Sequence, residues 1–208
     1  MVPRHKLGDV MRLQLIAIIL VGLGLSGPAQ AQEPGALMDN GLHYQEWIKV
    51  STGDLRSELL NAAAQDKNLM LLIEQRGCQY CEQLHKENFA HPEIVDVLQQ
   101  SFVVLQLDMV GNREFVDFDG AVLSEAKLMR KWGVATTPTT IVLRSGLPIA
   151  TSIAQAEEFR LPGYLGSFQY FAVLDYFASG AFEEQELRTF MQAKAAEFSQ
   201  RGIDPQRW

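Results

Sequence analysis

The chain has 208 residues, 47% hydrophobic and 21% charged, which is the make-up of an ordinary globular protein and excludes a disordered one. Its net charge is −7 with no basic cluster, which argues against a nucleic-acid partner. The size suits one domain with a real core.

The first thirty residues differ from the rest. Arg4, Lys6 and Arg12 make a basic start, residues 13–25 are uncharged and mostly aliphatic, Ser26-Gly27-Pro28 interrupts, and Ala29-Gln30-Ala31 follows. Basic, apolar, then small-x-small is the layout of a secretory signal peptide. The apolar run is too short to span a bilayer as a permanent helix. Cleavage after Ala31 is expected, leaving a single domain over 32–208; an uncleaved N-terminal anchor is the alternative, and Met11 is a second candidate start. Losing three Lys/Arg and one Asp with that segment moves the net charge from −7 to −9.

Residues 32–40 are polar with Pro34 and Gly35 and read as a loose mature N-terminus. Asp54 to Asp66 carries Leu55, Leu59, Ala62 and Ala63 at helical spacing, with Thr52 or Asp54 as cap. Asn68 to Glu74, NLMLLIE, suits a buried strand, and Gly77 breaks it. Cys78 to about Glu87 reads as a helix, and Pro92 starts another through Gln100. Phe102 to Asp108, FVVLQLD, is a second strand. Residues 109–123 read as an insertion with a small hairpin around Asp119-Gly120. Ser124 caps a helix through Trp132, ended by Gly133. Thr139 to Leu143 is a strand, Ser145-Gly146 a turn, and Pro148 to Ile153 the partner strand. Helices are expected near residues 166–177 and 182–200. Strands interleaved with helices point to an α/β protein whose central sheet is covered on both faces.

There are only two cysteines, Cys78 and Cys81, and they lie three positions apart. Gly77-Cys78-Gln79-Tyr80-Cys81 follows an expected strand and opens an expected helix. A helix start exposes unpaired N–H groups and the positive end of the helix dipole, both of which favour a thiolate. Cys81, about one turn on, can bond to Cys78. Cys78 then attacks a disulfide and Cys81 resolves the mixed disulfide. Other uses of the pair compete. A structural staple is disfavoured because so short a loop restrains the unfolded chain little. Zinc wants four sulfur or nitrogen donors, and after processing only His43, His85 and His91 join the two cysteines. His85 sits four residues after Cys81 on the same helical face, so a copper-binding or delivery site of Cys78, Cys81 and His85 stays open as an alternative. Haem attachment needs a His directly after the second Cys, where this chain has Glu82. Pro138, beside such a pair and before a strand, is expected in the cis form, leaving the backbone of Thr137 near the sulfurs to pair with a substrate strand.

Residues 68–153 resemble the thioredoxin superfamily, on the strand, Gly-Cys-x-x-Cys at a helix start, Trp132-Gly133-Val134, and Thr137-Pro138-Thr139 before two antiparallel strands. More narrowly, GCQYCEQLH (77–85), VVLQLDMVGNREFVDFDG (103–120), WGVATTPT (132–139) and RLPGYLG (160–166) are similar to the SoxW thioredoxins of bacterial sulfur-oxidation gene clusters. The resemblance implies a thioredoxin-like fold with a mixed central sheet, the small insertion and extra C-terminal helices. It implies Cys78 as attacking thiol, Cys81 as resolving thiol and Pro138 as the cis-proline facing them. It also implies a periplasmic location, a membrane reductant of the DsbD/CcdA type, and protein disulfides as substrates, with sulfur-oxidation components as leading targets. No cofactor or metal is expected beyond the redox pair. A reductase is the favoured reading, and an oxidase or isomerase on the same scaffold is the alternative.

The chain departs from cytoplasmic thioredoxin in two places. Gln79-Tyr80 stands between the cysteines, and that dipeptide helps set the potential. The buried Asp and Lys of thioredoxin match Leu72 and Gln106 here, so the group that takes the proton from Cys81 is open. Glu74 is the substitute candidate; its first reading is a solvated strand end. Tyr80 is expected as a partly exposed, substrate-contacting ring beside the sulfurs, and Trp132 as a core residue. Asp108 and residues 117–119 read as solvated turn acids. Phe168, Tyr170, Phe171, Tyr176 and Phe177 are expected on the buried face of the penultimate helix. If the leader is removed as expected, the intact mass of the exported protein will correspond to a chain starting at Gln32; a mass retaining residues 1–31 would identify the anchored form instead.

Overall fold

The computed structural model of the chain describes residues 32–144 and 150–208. The expected leader, the Ser145-Gly146 turn and the start of the expected strand at Pro148 lie outside them. The elements run α1 (Leu55–Ala63), β1 (Asn68–Glu74), α2 (Gln79–Lys86), α3 (Pro92–Ser101), β2 (Phe102–Asp108), β3 (Glu114–Val116), β4 (Val122–Ser124), α4 (Glu125–Lys131), β5 (Thr139–Leu143), α5 (Ile153–Ala156), β6 (Glu157–Pro162), α6 (Ser167–Ala178) and α7 (Leu187–Gln200). Asp54, rather than Thr52, caps α1, its Oδ1 accepting the Ser57 N–H at 2.9 Å. Ser124 stands at the N-cap of α4 but makes no side-chain capping bond.

The main sheet has the order β2-β1-β5-β6, with β1 and β2 parallel and the other pairs antiparallel. It is the mixed central sheet that was expected. Alternation along β1 divides the core. Leu69, Leu71 and Ile73 face one layer with Leu55 and Leu59 of α1 and Leu128 and Met129 of α4. Met70 and Leu72 face the other, with Leu84 of α2, Ile94 and Leu98 of α3, and Tyr170, Val173 and Leu174 of α6. Burying each aliphatic side chain of this kind stabilises the fold by roughly 1.5–3 kcal/mol. On α6, Phe168, Tyr170, Tyr176 and Phe177 are buried as expected, whereas Phe171 is half-buried against Phe198 of α7 and Trp208. No helix among the described residues is long and apolar enough to cross a membrane.

The partner of β5 differs from expectation. Ile153–Ala156 is a helical turn, and the antiparallel partner is β6, Glu157–Pro162. Its charges hide it in the sequence. Glu157, Glu158 and Arg160 line an edge strand, where charged side chains discourage further strand pairing, and Glu158 is paired to Arg144 (2.7 Å) and Glu157 to Arg160 (2.6 Å). On the opposite flank Lys49 pairs with Leu105, its N–H donating to the Val104 carbonyl of β2 at 2.8 Å.

The insertion forms the β3–β4 hairpin. Asp117, read as a solvated turn acid, is buried there. Its carboxylate meets Lys131 Nζ at 2.6 Å and the Trp132 indole N–H at 3.4 Å, tying the hairpin to α4, while Asp119 is exposed as expected. Glu125 is buried at the same junction, accepting the backbone N–H of Asp108 at 2.9 Å and pairing with Arg113. Gly111 lies against it, and a Cβ there would collide with the Glu125 carboxylate and approach Asp108 Cβ at 2.8 Å. Gly111→Ala should therefore lower the unfolding free energy by about 1–3 kcal/mol, the usual cost of overpacking, as measured by urea titration.

Candidate active site

β1 ends at Glu74, and after three intervening residues Cys78 caps α2. Gly77 has φ +72°, a left-handed turn open to glycine. Cys78 is the N-cap of α2, and its Sγ accepts the N–H of Cys81 at 3.1 Å. A sulfur is thus the capping atom at the positive end of the helix. The two sulfurs are bonded at 2.13 Å, with Cα atoms 5.2 Å apart. Cys78 is half-buried, whereas Cys81 has no exposed surface.

The Thr137-Pro138 bond is cis. Because Thr139 pairs with Ile73, this dipeptide lies at the end of β1 from which the Cys78 loop departs. Pro138 is buried and its carbonyl accepts the Gly163 N–H at 2.8 Å; Thr137 is half-buried. Tyr80 is 58% exposed and stacks on Tyr164 with ring centres 6.1 Å apart. The Tyr164 hydroxyl donates to Glu87 at 2.9 Å; burial, then that carboxylate, push its phenol pKa well above the ordinary value.

Glu74 is not a solvated strand end. It continues the Met70–Leu72 side of β1, and it is completely buried under α2. Its Oε1 lies 3.0 Å from His85 Nε2, and its Oε2 accepts a short hydrogen bond from Gln106 Nε2. His85 Nδ1 lies 3.2 Å from Gln45 Nε2, and Gln106 also donates to the His43 carbonyl at 2.9 Å. His43 stacks on His85 with ring centres 4.8 Å apart. His85 therefore spends both ring nitrogens on Glu74 and Gln45 and does not converge with the two sulfurs as the copper alternative requires. Among the described residues, the group of metal-capable side chains that comes together is His43, Glu74 and His85, with ligand atoms within 4.8 Å of one another. Their mutual hydrogen bonding and ring stacking make this a satisfied polar network.

Gln45 is absent from the residues singled out in the sequence, and His43 is weighed there only as a metal ligand, while residues 32–40 read as loose. They are partly folded back instead. Leu37 bridges to His43, and Tyr44 exchanges backbone hydrogen bonds with Gly35 and Ala36 at 2.6 and 2.7 Å. This strap is tied to the redox loop by Arg76, whose Nη2 donates to the Asp39 carbonyl at 3.2 Å. One signal was readable: Glu74 falls on the same side of β1 as Met70 and Leu72, and His85 on the same side of α2 as Cys81.

This combination of sheet, redox helix and cis-proline defines thiol–disulfide oxidoreductases of the thioredoxin type. The chain belongs to the thioredoxin-like domain family, whose profile matches residues 55–178. Among solved structures it is similar to a thioredoxin-fold protein from Helicobacter pylori, at 19% identity over 67% of this chain and 98% of that one, with a TM-score of 0.52. It is also similar to a thioredoxin from Thermus thermophilus (20% identity, 63% and 92% covered, TM-score 0.44). A third is the C-terminal domain of Neisseria meningitidis DsbD in the reduced form (17% identity, 58% and 91% covered, TM-score 0.41). No curated protein matches the sequence.

Burial, then the charge of His85, hold the His43 pKa below its ordinary 6.5. The unfolded chain then binds more protons in acid, so stability is lost as pH falls below about 6.5. Urea unfolding should give a lower free energy near pH 5.5 than near pH 7.5, and His43→Gln should flatten that difference.

Proposed function

We propose that this protein is an exported, periplasmic reductase of protein disulfides. The observation that carries the reading is the asymmetry of the pair: Cys78 reaches the surface as the cap of α2, and Cys81 lies wholly buried one turn behind it. The Cys78 thiolate attacks one sulfur of a substrate disulfide. A mixed disulfide forms and the other substrate sulfur leaves as a thiolate. Cys81 then attacks Cys78 Sγ, closing the Cys78–Cys81 bond and releasing the second substrate thiolate. Two electrons pass from the pair to the substrate. Thr137 and Pro138 at the end of the sheet, and Tyr80 on the rim, are the surface that receives the substrate backbone.

The basic–apolar–Ala-x-Ala leader supports export. A periplasm is kept oxidising and lacks a buffering thiol pool, so a dithiol works there as a reductant only if a membrane partner recharges it. A conduit of the DsbD/CcdA type fits that need. The segments similar to SoxW thioredoxins support sulfur-oxidation components as clients.

The fully reduced protein should reduce a model protein disulfide, and Cys78→Ser should abolish turnover. Cys81→Ala should accumulate mixed disulfides whose trapped partners identify the clients. Isolation from cells with the pair predominantly oxidised, together with a potential close to that of strong oxidants, would assign an oxidase instead.

A further inference from the structure

Four segments of the chain send polar side chains into the layer beneath α2: His43 and Gln45 from the strap, Glu74 from β1, His85 from α2 and Gln106 from β2. His43, Glu74 and His85 are all buried, and one ligand-capable atom of each lies within 4.8 Å of the others. The layer is otherwise apolar, with Met70, Leu72, Leu84 and Phe89.

The charge of this layer is not offset by a fixed cation. Glu74 is met by the Gln106 amide and the His85 imidazole, and by no lysine or arginine among the described residues. A buried carboxylate is costly unless positive charge stands against it, and hydrophobic residues of similar volume would fill the same space at no loss of stability. Folding alone therefore does not account for the set.

The set has the chemistry of a ligand shell. Zinc binds imidazole nitrogen at about 2.0–2.1 Å and carboxylate oxygen at about 2.0–2.2 Å, and two histidines, one glutamate and a water satisfy it. On a tetrahedral ion such ligand atoms stand about 3.4 Å apart. His85 Nε2 and Glu74 Oε1 are 3.0 Å apart, and no separation in the set has to shorten by more than about 1.4 Å. Without metal the same atoms satisfy one another, as described above.

The outer partners that orient metal ligands are present too. A ligating histidine gives its other N–H to an acceptor, and a ligating carboxylate is held by a donor. The Gln45 amide lies 3.2 Å from His85 Nδ1, and half a turn of that amide presents its oxygen there. Gln106 Nε2 holds Glu74 Oε2, which leaves Oε1 for an ion. A cleft of about 420 Å³ between the strap and α2 reaches the site, with Gln45, His85 and Phe89 in its wall. Glu33 adds negative charge to the same wall, and the charge of Lys86 beside it is taken up by Glu82 at 2.5 Å.

We propose that His43, Glu74 and His85 form a zinc site that fastens the strap to β1 and α2 behind the redox pair, with a water from the cleft as fourth ligand. The ion takes the place of the proton on His85 Nε2, and that proton moves to Nδ1, where Gln45 accepts it. The sulfurs take no part, so the site is available in the disulfide form and does not depend on the direction of electron flow.

The test uses the oxidised protein, whose Cys78–Cys81 bond removes thiolates as competing ligands. Chelator-washed protein is titrated with Zn²⁺ by calorimetry and by thermal unfolding. One equivalent should bind, and the unfolding midpoint should rise with zinc concentration. His43→Gln and His85→Gln should each weaken binding by more than about 100-fold and Gln45→Leu by about 10-fold, set against the 10–100-fold that outer partners contribute. His91→Gln should bind as the wild type does. Failure of the oxidised wild-type protein to bind zinc at micromolar concentration would overturn the proposal, as would wild-type affinity in both His43→Gln and His85→Gln. If a variant does not fold, NMR of the histidine rings in the wild-type protein decides: zinc should shift the His43 and His85 signals and spare His91, and unmoved His43 and His85 signals would refute the site. The reductase reading is tested on the reduced protein without zinc and stands or falls separately.

Discussion

Cys78 occupies the place where α2 leaves its first N–H groups without helical partners, and much of the domain serves to hold that place against the end of the sheet. The capping atom is the sulfur itself, so the same contact that starts the helix also sets up the chemistry. β1 delivers the loop, Gly77 turns it, and the cis-proline before β5 closes the far side. The strand–helix junction is short, so a shift of β1 by one residue would carry the cysteines away from Pro138. The apolar packing of β1 on both faces therefore fixes the redox geometry as well as the fold.

The pleat has a second consequence. Residues alternate strictly between the two faces of β1, and the side that begins with Met70 and Leu72 continues to Glu74. A carboxylate is thereby carried into the layer beneath α2, where water would otherwise have to follow it. Three separate parts of the chain answer it: His85 from the redox helix, Gln106 from the neighbouring strand, and, at one remove, His43 and Gln45 from the strap. The N-terminal strap thus completes the polar floor of the site.

Much of this was legible in the sequence, and the limits are physical. NLMLLIE and FVVLQLD are apolar enough to fix β1 and β2 at their true ends, and the glycine and proline punctuation located α2 and α3. The redox pair and the cis-proline followed from their order along the chain. β6 was missed because an edge strand carries charges where a central one carries valine, so Glu157, Glu158 and Arg160 looked like surface. Asp117 and Glu74 were misread for one shared reason: an acid is assumed solvated unless its partner is known, and Lys131 lies 14 residues from the one, and Gln106 32 from the other. Composition called residues 32–40 loose because their hydrogen bonds are made to backbone, which leaves no mark on side-chain pattern.

The two flanks of the sheet are both blunted, one by the charged face of β6 and the other by Lys49 lying against β2. An unprotected ladder at the edge of a sheet is a template on which another polypeptide can pair by its backbone. Here the flanks offer little to an incoming strand. A strand added at either border would meet charge or an existing pairing, so the sheet is guarded against growth on both sides.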